Sequence, residues 1–159
     1  MPRKKTASLL RDIKPDRQYN SVMVQKVINR FMLNGKKQLA ERLVYDGMQK
    51  AADRLKVDNP YEVFEQAMKN IQPHMETRSR RVGGANYQIP FEVKGQRQNH
   101  LTIMWFVAAV RAKKGMSTVD RIAAELQDAY NNQGTSVKKR EDTHKMADAN
   151  RAFAHFART

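Results

Sequence analysis

The chain has 159 residues, enough for one domain with an ordinary hydrophobic core. It contains no cysteine, which excludes a disulfide framework, a thiolate metal site and a cysteine nucleophile. Thirty Lys and Arg residues oppose sixteen Asp and Glu residues, and the resulting formal charge of +14 favours a polyanionic partner over a merely basic soluble protein. Nucleic acid is the first candidate for this partner and an anionic membrane surface the second. No apolar run approaches the roughly 20 residues of a membrane span, and no secretory signal follows the N-terminal charges.

The N-terminal third of the chain predicts a basic arm followed by three helices. Residues 1–18 are charged, carry two prolines and predict an extended, flexible arm. Apolar residues at helical spacing predict the first helix: Val24, Val27, Ile28 and Phe31. The second helix carries apolar or small residues at steps of four, which indicates close packing against a neighbour: Leu39, Leu43, Gly47, Ala51 and Leu55. The third begins with Asn59 as N-cap and Pro60 in the first turn, and Pro73 closes it.

The charge is distributed unevenly over these elements. Residues 39–69 contain five basic and six acidic side chains, so the net charge of +14 lies wholly outside this stretch. We therefore expect one side of the molecule to face water or protein and the other to face a polyanion.

A β-hairpin arm is predicted over residues 74–94, where the apolar pattern changes from helical to alternating. After the glycines, apolar residues alternate with polar residues or proline: Tyr87, Ile89, Phe91 and Val93. The preceding segment "HMETRSRRV" can pair with this strand, which places Arg78 and Arg80 on one face. Residues 82–86 form the predicted tip, where Gly83 and Gly84 supply the positive φ angles; the loop length leaves the register open.

Helical patterns return after the hairpin and continue to the end of the chain. The fourth helix is predicted by Leu101, Trp105, Ala108, Ala109 and Ala112, with Trp105 in the core. Ser117 begins the fifth, with Asp120 as its capping partner. Residues 135–159 predict a C-terminal helix with this apolar stripe: Met146, Ala149, Phe153 and Phe156. The pattern as a whole indicates one mainly helical domain, spanning residues 1–159, with one protruding β-hairpin.

No catalytic constellation is visible. The four histidines lie far apart in sequence: His74, His100, His144 and His155. His144 and Asp148 could place two metal ligands on one helix face, but no third ligand is in view. Phosphate-binding glycine motifs and a nucleophile elbow are also missing from the sequence. We therefore expect neither an enzyme nor a metal or cofactor site.

Basic residues are concentrated at the ends of predicted elements and on the two arms. The candidate nucleic-acid contacts outside the hairpin are Arg3, Lys4, Lys5, Arg11, Lys36, Lys37, Lys113, Lys114, Lys138, Lys139 and Arg140. One such cluster is often only a solvated face, but several in so basic a chain favour phosphate binding. Few aromatic residues accompany them, and Tyr87 could either stack on a base or pack across the strands.

Two long motifs carry a family resemblance. The segments "SRRVGGANYQIPFEV" and "VKKREDTHKMADANRAFAHF" closely resemble the signatures of the small ribosomal subunit protein seven family, bacterial type. The segments "NGKK", "NPYEVFEQAMKNIQP" and "AAEL" occur in the expected order, so the resemblance covers essentially the whole chain. It implies a six-helix bundle with a β-hairpin arm, to which the sequence adds the extended basic N-terminal arm.

The resemblance also implies a function. Such a protein is a structural component of the small ribosomal subunit that binds the 3′ major domain of 16S rRNA and nucleates assembly of the subunit head. Its hairpin lies at the subunit interface near the exit-site tRNA and the mRNA path, which assigns to that place Arg78, Arg80, Arg81, Gly83, Gly84, Asn86 and Tyr87. The implied protein neighbours are small-subunit proteins nine and eleven, without a membrane partner or an obligate homo-oligomer. The implied location is the cytoplasmic small ribosomal subunit, with an organelle ribosome as the alternative.

A second hypothesis, an architectural DNA-binding protein, would also be small and basic with a hairpin arm. Such proteins insert apolar side chains between base steps, whereas the predicted tip offers only Val82 as a wedge. The ribosomal hypothesis is therefore favoured.

Overall fold

The computed structural model describes residues 12–157 of the chain. This part contains six α-helices: α1 (Val22–Phe31), α2 (Lys37–Leu55), α3 (Pro60–Ile71), α4 (Gly95–Ala112), α5 (Thr118–Tyr130) and α6 (Gly134–Ala149). Two strands lie between α3 and α4, β1 (Met75–Val82) and β2 (Ala85–Glu92), and a 3-10 helix (Arg151–Ala157) follows α6. The predicted mainly helical fold with one β-hairpin is confirmed. None of these helices is long and apolar enough to cross a membrane.

Helix α2 packs tightly against α5 at the centre of the core. The predicted close approach is confirmed at Gly47, where an added Cβ would lie 2.5 Å from Ile122 Cγ2. Gly47 and Ala51 are buried as predicted, and Leu43 and Leu55 are partly buried against the core. The buried face also includes Ala40, Val44, Met48 and Ala52. Leu39 is instead 44% exposed. Small residues face α5 because they permit the short distance between the helices.

Helix α4 buries Leu101 and Ala109 of the predicted stripe, but the centre of its packed face is shifted from the predicted one. Larger side chains occupy the core positions, among them Ile103, Phe106, Val107 and Val110. Ala108 and Ala112 are exposed, and Trp105 packs against the core while partly buried. Alanine fits either side of a helix, so the alanine spacing did not identify the face that packs.

Three helices begin at side-chain caps. Ser117 Oγ accepts a hydrogen bond from Asp120 N at 3.1 Å, and Asn59 Oδ1 accepts one from Tyr61 N at 3.0 Å, which confirms both predicted caps. Ser21 caps α1 and depends in turn on Asp16, whose Oδ1 accepts from Ser21 N at 2.8 Å.

Asp16 also shortens the predicted arm. It is 3% exposed, and its Oδ2 accepts hydrogen bonds from Gln18 N, Tyr19 N and the Tyr45 hydroxyl. The extended arm predicted over residues 1–18 therefore ends before Asp16, because this carboxylate ties the chain to α2. Residues 1–11, with the predicted contacts Arg3, Lys4, Lys5 and Arg11, lie outside the described part.

The hairpin has the shortest possible turn. Val82 pairs with Ala85, so Gly83 and Gly84 alone form the loop, with φ angles of 57° and 91°. This geometry is the two-residue turn that suits the twist of antiparallel strands. Arg78 lies opposite Ile89 and Arg80 opposite Tyr87, which fixes the register that the sequence left open.

The C-terminal segment differs from the single helix predicted over residues 135–159. Helix α6 ends at Ala149, and Asn150 N donates to Met146 O at its end. The 3-10 helix then directs Phe153 and Phe156 onto Tyr87 of β2, with ring centroids 5.1 and 5.6 Å away. A continued α-helix would have kept the predicted stripe with Met146, which is instead 50% exposed.

Candidate nucleic-acid interface

The ends of four helices, α1, α2, α4 and α5, meet in a basic groove, which we call the helix-end groove. Its volume is about 570 Å³, and its floor is apolar, with Phe31, Ala40, Leu43 and Val110. Lys36, Arg111 and Arg121 line its edge, and no acidic side chain does so among the described residues.

Backbone acceptors hold two of these cations in place. Arg111 Nη2 donates to Arg30 O at 3.1 Å, and Arg121 Nε donates to Met116 O at 2.8 Å. Lys36 precedes the first residue of α2, where the helix dipole disfavours a cation. Lys37 pairs with Glu41 at 3.6 Å, so Lys36 remains the more available of the two.

Lys113 and Lys114 were predicted together, but the structure separates their roles. Lys113 Nζ lies 2.7 Å from Asp128 Oδ2 and 3.1 Å from Glu125 Oε2, and Glu125 is fully buried. Burial alone would lower the pKa of Lys113, but its hydrogen bonds to Asp128 and Glu125 raise it. Lys113 therefore serves the fold, whereas Lys114 is exposed at the end of α4.

Glu125 also fixes the start of α6. Its Oε1 accepts hydrogen bonds from Ser136 N at 3.0 Å and from Ser136 Oγ at 2.5 Å. One buried carboxylate thus joins α4, α5 and α6, and it determines where α6 presents its own cations.

The predicted cluster on α6 lies in the second turn of the helix. Because α6 begins at Gly134, Lys138 and Lys139 are beyond the first turn, where the helix dipole disfavours cations little. Both are exposed. Arg140 is more buried, donates to Asn70 O of α3 and lies 3.6 Å from Glu141, so it anchors α6 to α3.

A second basic cleft lies between α1 and α4. It has a volume of about 450 Å³, and Lys26, Arg30 and His100 line it beside the amides of Asn29, Gln96 and Asn99. Sequence reasoning missed these cations. The available signal was that Lys26 and Arg30 lie at i, i+4 on the face of α1 away from its buried residues.

The base of the hairpin contacts α6 through two histidines that are 70 positions apart. His74 N donates to His144 Nε2 at 3.1 Å, and the two rings stack with centroids 6.1 Å apart. Burial lowers the pKa of His144, and the positive charges of Arg140 and His74 lower it further. Within residues 12–157, no group of three or more potential ligands could hold a metal ion.

The three arginines of the hairpin are not equivalent. Arg78 pairs with Glu76 and lies over the Phe91 ring, 5.2 Å from its centroid. Arg80 Nη1 donates to Phe156 O at 3.1 Å. Arg81 is exposed, opposite Asn86 and next to the turn. Of the three, Arg81 is therefore the most available for an external anion.

Glu76 is the buried acid that joins the hairpin to α4. Arg97 Nη2 lies 3.0 Å from Glu76 Oε2, and the Glu76 side chain is only 8% exposed. Burial alone would raise the pKa of Glu76, but hydrogen bonds from Arg97 and Arg78 lower it overall. Sequence reasoning missed both Glu76 and Arg97. The available signal was a single acidic residue near the start of an arginine-rich strand.

The fold and these surfaces define a class of protein: a basic helical domain that presents exposed cations at helix ends, in two clefts and on a hairpin, as a polyanion-binding protein does. A family model described as "Ribosomal protein S7p/S5e" matches residues 2–151. The chain belongs to this family. It is therefore a structural ribosomal protein rather than an enzyme, and the family decides against the architectural DNA-binding alternative.

Three relatives show the extent of the similarity, and all three are called "Small ribosomal subunit protein uS7". The protein from Chloroflexus aurantiacus is 55% identical over 148 residues, which cover 93% of this chain and 94% of the relative. The protein from Thermotoga neapolitana is 51% identical over 146 residues, with 92% and 94% covered. The protein from Desulfotalea psychrophila is 47% identical over 156 residues, with 98% and 99% covered.

Proposed function

We propose that this chain, a small-subunit ribosomal protein by its family, is a primary binder of 16S rRNA. It binds the 3′ major domain and nucleates assembly of the subunit head. Its hairpin lies at the subunit interface, near the exit-site tRNA and the path of the mRNA. Small-subunit proteins nine and eleven are its protein neighbours.

The observation that carries this proposal is the division between paired and exposed cations. Lys50 and Arg54 of α2 both pair with Asp120, at 2.6 and 3.1 Å, and Lys69 of α3 pairs with Glu65 at 3.1 Å. By contrast, Lys36, Lys114, Lys138 and Lys139 are exposed and form no ion pair within residues 12–157. Such charges favour an external polyanion, and the phosphates of a folded rRNA domain supply one.

We assign the rRNA contacts to the exposed members of the predicted set. These are Lys36, Lys37, Lys114, Lys138 and Lys139, to which we add Lys26 and Arg30 because they line the cleft between α1 and α4. Lys113 and Arg140 act indirectly, because their side chains hold α6 in position. For Arg3, Lys4, Lys5 and Arg11 the assignment rests on the sequence alone.

At the hairpin, the proposed tRNA and mRNA side rests on the shape of the tip. Gly83 and Gly84 carry no side chain, and nothing lies within 4 Å of a Cβ built on either. A tip this narrow can approach nucleic acid closely, with Arg81 and Asn86 exposed immediately beside it.

Competitive binding tests the proposal. The purified protein is offered the 3′ major domain of 16S rRNA against duplex DNA of equal length at physiological salt. Preference for the RNA domain supports the proposal, and equal affinity contradicts it. If six to ten phosphates are neutralised, affinity for the RNA domain should also fall by roughly three to five decades between 50 and 200 mM salt.

Two variants separate the rRNA side from the tRNA side. Deletion of residues 1–11 should lower affinity for the isolated RNA domain about tenfold or more, because phosphate contacts are lost. Arg81→Ala should change this affinity little and should weaken exit-site tRNA retention on reconstituted subunits. The reverse result, with Arg81→Ala as damaging to domain binding as the deletion, would show that the hairpin is an rRNA anchor.

A further inference from the structure

The distal half of the hairpin contacts the body of the protein at the C-terminal 3-10 helix. The ring of Tyr87 lies against both Phe153 and Phe156, and Arg80 Nη1 donates to Phe156 O at 3.1 Å. Arg80 and Tyr87 are a directly opposed cross-strand pair, three positions from the turn on each strand. The 3-10 helix therefore contacts both strands at the same distance from the turn.

The base of the hairpin has its own, separate attachment. Val93 N donates to His74 O at 2.8 Å, Glu76 pairs with Arg97 of α4, and Ile89 is fully buried. Thr77 Oγ1 also contacts Met146 Sδ of α6, at 3.2 Å. These contacts fix residues 74–78 and their cross-strand partners but do not reach the tip.

A two-stranded hairpin is marginal by itself in water, because each strand has a neighbour on one side only. Beyond the buried base, twist and bending of the ribbon would leave the tip without a defined direction. The aromatic contact supplies the missing support, since it adds a third element against the ribbon where the base contacts end.

We infer that the 3-10 helix, Arg151–Ala157, fixes the direction of the hairpin tip, with Tyr87, Arg80, Phe153 and Phe156 as positioning residues. The inference deepens the proposed function at the same arm: Arg80 holds the arm in place and Arg81 makes the external contact. The C-terminal 3-10 helix thereby controls the position of the hairpin tip, although its Phe156 is 76 positions from Arg80 in sequence.

The positioning residues can be changed without damage to the main core. Phe153 and Phe156 are absent from the hydrophobic core cluster formed by α1 to α6, and each is only partly buried. Phe153→Ala with Phe156→Ala should therefore leave the helical content and the melting temperature close to those of the unchanged protein. Arg151→Ala is a matched control, because Arg151 is exposed in the same segment.

The experiment measures the position of the tip in the RNA-free protein. Because the chain has no cysteine, spin labels can be placed cleanly at Asn86→Cys beside the turn and at Arg42→Cys, an exposed site on α2. The distance distribution should be narrow in the otherwise unchanged protein and in Arg151→Ala. In the double phenylalanine variant we expect it to become about twofold or more broader, with amide exchange of residues 79–88 about tenfold faster.

Tyr87 gives an independent test if the double variant does not fold. Tyr87→Ala should broaden the distribution and Tyr87→Phe should not, since only the ring makes the contact. An equally narrow distribution in Tyr87→Ala and in the double variant would overturn the inference. All measurements omit RNA, so a failure of the proposed function would not affect them.

Discussion

Lys113 and Lys114 are adjacent, carry the same charge and should have opposite phenotypes when replaced by methionine. Lys113→Met removes the cation that faces Glu125 and Asp128, whereas Lys114→Met removes an exposed cation at the end of α4. Methionine keeps a long apolar side chain in each case, so the pair isolates the charge.

The expected loss of stability follows from the burial of Glu125. Its side chain is 0% exposed, and Lys113 Nζ lies 3.1 Å from Oε2, an atom that no other donor reaches within residues 12–157. Removal of one partner from a buried pair costs about 3–5 kcal/mol, because the other charge stays buried. Lys113 is itself 21% exposed, so we place Lys113→Met near the lower end, at about 3 kcal/mol.

Two assays separate the outcomes. Urea denaturation at neutral pH should show the loss for Lys113→Met, together with a melting temperature lower by roughly 6–12 °C for a domain of this size. Lys114→Met should stay within about 0.5 kcal/mol of the unchanged protein. It should instead weaken binding to the RNA domain and reduce the salt slope by about one. If Lys113→Met keeps its stability and loses RNA affinity as Lys114→Met does, the assignment of Lys113 to the fold is wrong.

Three further predictions concern the carboxylates and the core. Ion pairs with Arg97 and Arg78 lower the pKa of Glu76 in the folded state. The stability that these pairs contribute is fully present above the pKa of Glu76 in the unfolded chain, about 4.3, and is lost as the pH falls through the lower pKa of the folded state. The stability gap between the unchanged protein and Glu76→Gln, from urea denaturation, should therefore narrow below about pH 4. Gly47→Ala should lower the free energy of unfolding by about 1–2 kcal/mol, since the overlap with Ile122 outweighs the helix propensity of alanine. Asp53→Lys, on the acidic stretch, should leave affinity for the RNA domain within about threefold in a filter-binding assay; a large gain would show that this surface lies near the RNA.

Local signals in the sequence were sufficient for most element boundaries. Asn59 and Ser117 begin their helices as predicted because a capping side chain acts within three residues of itself. Gly83 and Gly84 fixed the location of the turn, because a two-residue hairpin needs positive φ angles at both positions. Such interactions depend on neighbours in the chain, so sequence alone can reveal them.

The division of the cations between structural and exposed roles could not be predicted in this way. It depends on partners distant in sequence: Arg97 is 21 positions from Glu76, and Arg80 is 76 positions from Phe156. The sequence predicts clusters of basic residues, but it gives no means to distinguish Lys113 from Lys114. The break between α6 and the 3-10 helix was missed for the same reason, since it follows from the contact with Tyr87.

The placement of three carboxylates, with Glu76 and Glu125 buried and Asp120 partly exposed, explains how so basic a chain limits charge repulsion between its elements. Asp120 joins α2 to α5 through Lys50 and Arg54, Glu76 joins the hairpin to α4 through Arg97, and Glu125 joins α4 to α6. Each of these acids lies between elements, where like charges would otherwise repel at short range. The uncompensated cations are left at exposed ends, where solvent and salt screen their repulsion in the free protein. The same exposure makes them available to phosphates, so the arrangement that limits repulsion between the elements also leaves the binding charge on the surface.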